Sequence, residues 1–329
     1  MVIRMRLLAL CVLALAGPVV AQEEAAATAA NLRGRLEAGA EHRFVMTVDT
    51  LLHLRTPRGG DDEATGPAQP AEQKQAAHQW VDFIVRVRET GEQGTTLELE
   101  YAGLRFSLES PNQAGAFDST APEAEGEPAQ ALRSVVGMRL LVKVDAEGNV
   151  TAVSGGEHLV KPARDGAEGA GEEGAGRGDN GEAGGFWPRV AAQFRERAIV
   201  ASFLEPILTT RHPTGMARVG ETWTYRDKLE ESPLGTFTIV TEYRLESVEA
   251  ETAVIALSGS ITAGPAPGGG EAPFDLLGSA NSGRMVWNTA EGVLDSLEQT
   301  QRVDLRTSMQ GVKMDLVNST TVKLTRMRQ

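Results

Sequence analysis

The chain has 329 residues, a formal net charge of −13 and 41% hydrophobic residues. That length allows one large domain or two small ones, with a core large enough to hold without disulfide or metal staples. The acidic balance disfavours nucleic acid, which rewards clustered Lys and Arg, and disfavours anionic membrane surfaces.

Arg4 and Arg6 precede an apolar run, Leu7 to Ala16, ended by Gly17 and Pro18, and Val19-Val20-Ala21 has the form of a cleavage site. The expectation is a signal peptide over 1–21 and an exported protein, periplasmic or extracellular. The run is too short for a bilayer span, which takes about 20 residues. No later stretch approaches that length, so no transmembrane span is expected after cleavage. Cys11 is the single cysteine and lies inside the leader, which leaves the mature chain without disulfides or thiolate ligands.

Residues 22–39 read as a linker. Residues 40–160 read as a first β-meander, because apolar residues alternate with period two. Phe44, Met46, Val48, Thr50, Leu52 and Leu54 share one face, and Val81, Phe83, Val85 and Val87 share another. Leu97, Leu99 and Tyr101 continue the pattern. The phase then flips at Ala102-Gly103, so that Leu104, Phe106 and Leu108 become the apolar set, which predicts a β-bulge. Val142 and Val144 lead into Asp145-Ala146-Glu147-Gly148, where Gly148 suits a bulged hairpin turn. Two inserts, 57–75 and 113–130, carry too few large apolar residues to order themselves. So does the Gly/Glu-rich linker over 161–185.

Residues 186–212 read as a helical connector. Pro188 suits a first helical turn, and Pro206 predicts a kink or break. Residues 213–329 read as a second meander with added C-terminal strands. It opens on Trp223 and Tyr225, and Leu245, Ile255 and Leu257 match Val87, Leu97 and Leu99 at a constant spacing. Asn288-Thr289-Ala290-Glu291-Gly292 repeats the earlier turn. The fold class predicted is mainly β: a duplicated antiparallel meander forming a curved sheet or half-barrel, with one helical connector.

The chemistry-bearing residues form no recognisable set. His42, His53, His78, His158 and His212 lack metal-ligand spacing, and Gly268-Gly269-Gly270 has no following Lys-Ser/Thr. No serine sits in a nucleophile elbow. Asp82, Asp118, Asp227, Asp275 and Asp295 could pair only in space. His53, on a polar strand face, is expected to be exposed. The expectation is a protein that is not an enzyme, with no cofactor, no metal and no catalytic residues.

Phe117-Asp118-Ser119, Val135-Val136-Gly137, the run Val142 to Gly148 and Val219-Gly220-Glu221-Thr222-Trp223 resemble an uncharacterised secreted bacterial family common in planctomycete-type genomes. Those motifs are turn glycines and strand apolars, so the resemblance implies no activity. The architecture is also loosely similar to the LolA/LolB class of lipoprotein carriers. Two roles follow as expectations. One is a structural or protein-interaction module with an envelope protein partner. The other is a carrier of a lipid or other apolar ligand in the curved sheet, with Phe194, Phe203, Leu204 and Trp287 as ligand-contacting residues.

Overall fold

The structure, a computed structural model, describes residues 29–55, 72–111, 114–121, 125–156, 186–229, 237–264, 274–309 and 312–328. The expected leader, the 161–185 linker and most of the 57–75 insert lie outside these residues. The chain runs β1 (Ala29–Asn31), β2 (Glu41–Arg55), β3 (Glu72–Gly91), β4 (Gly94–Glu109), β5 (Ala114–Asp118), α1 (Glu127–Leu132), β6 (Arg139–Val144) and β7 (Val150–Gly155). It continues through α2 (Phe186–Gln193), α3 (Arg197–Leu208), β8 (Met216–Arg218), β9 (Thr222–Leu229), β10 (Phe237–Glu249) and β11 (Thr252–Ala263). The last strands are β12 (Phe274–Asn288), β13 (Val293–Met309) and β14 (Val312–Met327).

Twelve strands form one open antiparallel sheet in the order β7-β6-β4-β3-β2-β14-β13-β12-β11-β10-β9, with β5 added on β4. The meander leaves β2 in one direction and returns to it from the other through β14. Strands β1 and β8 pair separately.

The two halves of the sheet are the same structure twice. Val87↔Leu97, Val85↔Leu99 and Phe83↔Tyr101 in the first hairpin match Leu245↔Ile255, Tyr243↔Leu257 and Thr241↔Gly259 in the second. Both hairpins carry a bulge at the same place, between Val87 and Glu89 and between Leu245 and Ser247. The next hairpins are bulged alike, at Lys143/Val144 and Val286/Trp287. Their turns are alike too. Asp145 Oδ1 accepts from the Glu147 and Asn149 amides, and Asn288 Oδ1 accepts from Ala290 and Glu291. Even the lead-in repeats: the Gly39 amide donates to Val87 O, and the Gly220 amide to Leu245 O. Bulges depend on single residues, so their recurrence in register identifies a duplication. The bulge expected at Ala102-Gly103 is present, with Ala102 unpaired between Tyr101 and Gly103.

The inner face of the sheet seats the helices. Phe203 of α3 packs on Phe83 with centroids 5.1 Å apart, and Trp187 of α2 meets Phe106 edge-on at 5.4 Å. Phe44, Phe83, Leu97, Leu99, Tyr101, Leu204 and Trp287 are all but fully buried in this core.

Three expectations change. Within 113–130, Phe117 of β5 and Ala129 of α1 reach the core, and α1 runs on to the buried Leu132. The 57–75 insert is shorter than expected, since β3 begins at Glu72 and pairs there with Arg55. The helix breaks not at Pro206 but at Phe194–Glu196. The Phe194 carbonyl is taken by the Tyr101 hydroxyl at 2.6 Å, so it is drawn out of the helical ladder. Pro206 lies inside the final turn of α3 without ending it, and its missing N–H leaves the Ser202 carbonyl without its i→i−4 donor.

Candidate ligand trough

The inner face outruns its helices. On β2, Phe44 and Met46 are buried, whereas Val48, Thr50, Leu52 and Leu54 on the same face are only partly covered. β14 shows the same fall, from a buried Leu324 to partly covered Val322, Thr320, Asn318 and Leu316. Length is the physical reason. A helix of 12 residues such as α3 spans about 18 Å. A strand of 15 residues such as β2 spans about 50 Å. The excess leaves a half-covered stretch of inner face, the trough, across β12, β13, β14, β2 and β3.

Its lining is ordered in bands across the strands. Nearest the core runs a polar band: Asn281, Gln301, Thr320 and Thr50 are paired in register, strand to strand. Gln299 Nε2 donates to Asn281 Oδ1 at 2.9 Å, and the Thr50 and Thr320 hydroxyls lie 3.4 Å apart. One step outward come Val303, Asn318 and Leu52. A further step outward are Leu305, Leu316 and Leu54. Phe237 and Phe274 stack at 5.3 Å at the far end of the β10 and β12 side. Gly259 and Gly283 lie where a side chain would drive into the neighbouring strand, with a Cβ at 2.2 Å from Val240 O and 2.5 Å from Glu298 O. Glycine therefore lets adjacent strands approach at this bend.

These bands carry no charged side chain, while the outer face of the same strands is dense with them. Arg306 pairs with Asp315 at 2.7 Å, Lys323 with Glu298 at 2.9 Å and Arg302 with Asp304 at 3.0 Å. His53, expected to be exposed, is mostly covered on that face and lies 2.5 Å from Glu72. Over these bands the alternation puts the charges outward and leaves amides, hydroxyls and aliphatic groups inward. Within the trough, Asn318 Oδ1 is buried with no hydrogen-bonding partner among the described residues. Its in-register neighbours are aliphatic.

The four residues singled out from sequence all belong to the hydrophobic core. Phe203 and Leu204 are on the buried side of α3, Trp287 is fully buried on β12, and Phe194 meets Tyr101 edge-on at 5.5 Å. They form the helical plug and its seat, below the trough. Burial also pushes the Tyr243 hydroxyl up to about 12 and the Tyr101 hydroxyl higher still, so both stay protonated donors. The trough residues were visible as the outer half of the alternating Thr50-Leu52-Leu54 pattern. What could have flagged them was the mismatch between helix and strand length.

A second cleft, of about 820 Å³, opens at the opposite end of the strands, between Arg33, the Asp145–Gly148 turn and Arg211. Arg211 and His212, enclosed in its wall, are committed to other side chains. Arg211, left-handed at φ 58, binds Glu205 and Asn149 and lies 4.4 Å over Tyr225. His212 is sealed against Trp223. This loop buckles the β6–β7 turn to β9. The carboxylates considered from sequence do not converge: Asp82 pairs with Arg43, Asp118 with Arg105 and Asp295 with Arg326 and Arg328.

The fold and trough define a class: an open, duplicated antiparallel half-barrel plugged by helices, with an uncharged inner surface beyond them. Residues 92–294 match the family of unknown function DUF6263, and the chain belongs to that family. No curated protein matches it. Among solved structures, lipovitellin, described for its lipid–protein interactions, is similar at 9% identity and a TM-score of 0.43, over 89% of this chain. The chain spans 26% of that protein's length. An outer membrane channel of Pseudomonas putida F1 and OccK7 of Pseudomonas aeruginosa align over 89% and 88% of the chain, each with a TM-score of 0.17.

Proposed function

We propose that this protein is an exported, non-enzymatic envelope protein that binds a lipid or other apolar ligand along the trough. The observation that carries the reading is the uncharged, half-covered inner face beyond the helices. Aliphatic groups at Leu52, Leu54, Val303, Leu305 and Leu316 would gain roughly 25 cal/mol for each Å² of apolar surface a ligand covers. Predominantly apolar lining with a few placed polar groups is the usual make-up of a small-molecule site. The reading depends on the trough alone, not on any likeness to other structures.

Native mass spectrometry with organic extraction of the full chain, purified from the periplasm of an expressing bacterium, tests this. The expected result is a near-stoichiometric extractable ligand, lost in Leu305→Asp. That variant should keep its thermal midpoint within a few degrees, because Leu305 is only partly covered. A ligand-free wild-type protein would refute the proposal. It would favour the second role, a protein-interaction module, for which β7 and β9, the two ends of the strand order, supply the sheet edges.

A further inference from the structure

We infer that the trough selects a neutral amphiphile, one whose head group is a hydroxyl or amide rather than a carboxylate or phosphate. The inference rests on the proposed ligand reading and adds the chemistry of the head group. Three observations carry it. The inner bands contain no lysine, arginine or histidine to neutralise an anion, and no acid to neutralise a cation. Along the trough, Arg302, Arg306 and Lys323 lie on the outer face and are paired there, and Arg326, which shares the inner face with Phe44, sits at the plugged end bound to Glu291 and Asp295. The polar band lies between the buried core and the aliphatic rim, which fits a head group held inward and a hydrocarbon chain laid across Leu316 and Leu54.

An ionised head entering this band would lose its water and meet only neutral amides and hydroxyls. A hydroxyl or amide head loses less water and recovers hydrogen bonds from Gln301, Thr320 and Thr50. Asn318 makes the match specific. Its buried Oδ1 accepts from nothing among the described residues. That atom has under 1 Å² of accessible surface, so a ligand's donor reaches it when the Asn318 side chain turns into the trough, and the cost of an unmatched acceptor favours a ligand that donates over one that cannot. A carboxylate has no hydrogen to give, whereas an alcohol or amide has.

The experiment exposes the delipidated full chain to an equimolar mixture of 1-monooleoylglycerol and sodium oleate at about pH 8, followed by native mass spectrometry. The acyl chain is the same in both probes, so the head group decides. The expected result is a preference of about tenfold or more for monooleoylglycerol. Asn318→Leu should reduce that preference, and Thr320→Lys should shift binding towards oleate by supplying the missing cation. Equal or better binding of oleate by the wild-type protein would overturn the inference and leave the apolar-ligand reading standing. Binding of neither probe would overturn both. Retention of β-sheet circular dichroism in each variant separates loss of selectivity from loss of fold.

Discussion

At the scale of single residues, Phe203 and Trp287 are both buried but differ in what they leave unsatisfied. Phe203 meets Phe83 and Tyr101 with centroids at 5.1 and 6.4 Å. Phe203→Ala should therefore cost about 3–5 kcal/mol, as large aromatic truncations in tight cores do. Trp287 is fully buried, yet its Nε1 has no partner among the described residues. Trp287→Phe removes volume but also removes a buried N–H that costs roughly 1–3 kcal/mol unpaired. The two effects oppose each other, so this variant should change stability by less than about 1.5 kcal/mol. Urea denaturation of both variants checks the contrast, and equal losses would contradict it. Burial of all four candidate residues was readable from their apolar stripes. Whether burial was against a ligand or against other side chains was not, because a core and a cavity wall use the same residue types.

At the scale of elements, the break between α2 and α3 shows how tertiary contact overrides local propensity. Sequence placed the break at Pro206, the strongest helix breaker in the segment. The structure places it where the Tyr101 hydroxyl, from a strand far away in sequence, takes the Phe194 carbonyl. Nothing local to residues 186–208 encodes that bond. Tyr101→Phe should leave the carbonyl buried and unmatched, costing about 1–3 kcal/mol. Native-state hydrogen exchange should then show reduced protection in α2 and α3 together. A variant as stable as wild type, with unchanged protection there, would contradict this account of the break. The Ala102-Gly103 bulge, by contrast, was legible, because a one-residue flip in hydrophobic phase is a local signal. The β5 and α1 elements were not. Their core contacts are few, and acidic, Pro-rich neighbours dominate the composition of 113–130.

At the scale of the whole molecule, duplication explains both the strength and the openness of the fold. Each half brings a meander with matched bulges, and strand β14 joins the second half to β2 of the first. The two longer helices that plug the sheet, α2 and α3, come from the connector between the halves and are shorter than the strands they cover. The plugged end becomes a closed core and the other end a trough. Duplication was legible from the constant spacing of Leu245, Ile255 and Leu257 against Val87, Leu97 and Leu99. The trough was not singled out, because its boundary depends on where the helices stop in space. Beyond the helices, charge is sorted as well: paired ions outside, amides and aliphatic groups inside.

The most direct measurement is photo-crosslinking of the full chain with a monoacylglycerol carrying a diazirine in its acyl chain, with adducts located by peptide mass spectrometry. The account predicts adducts on the inner-face residues of β2, β13 and β14, at Leu52, Leu54, Val303, Leu305 and Leu316. Adducts concentrated on the charged outer face of those strands, or in the cleft around Arg211, would contradict it.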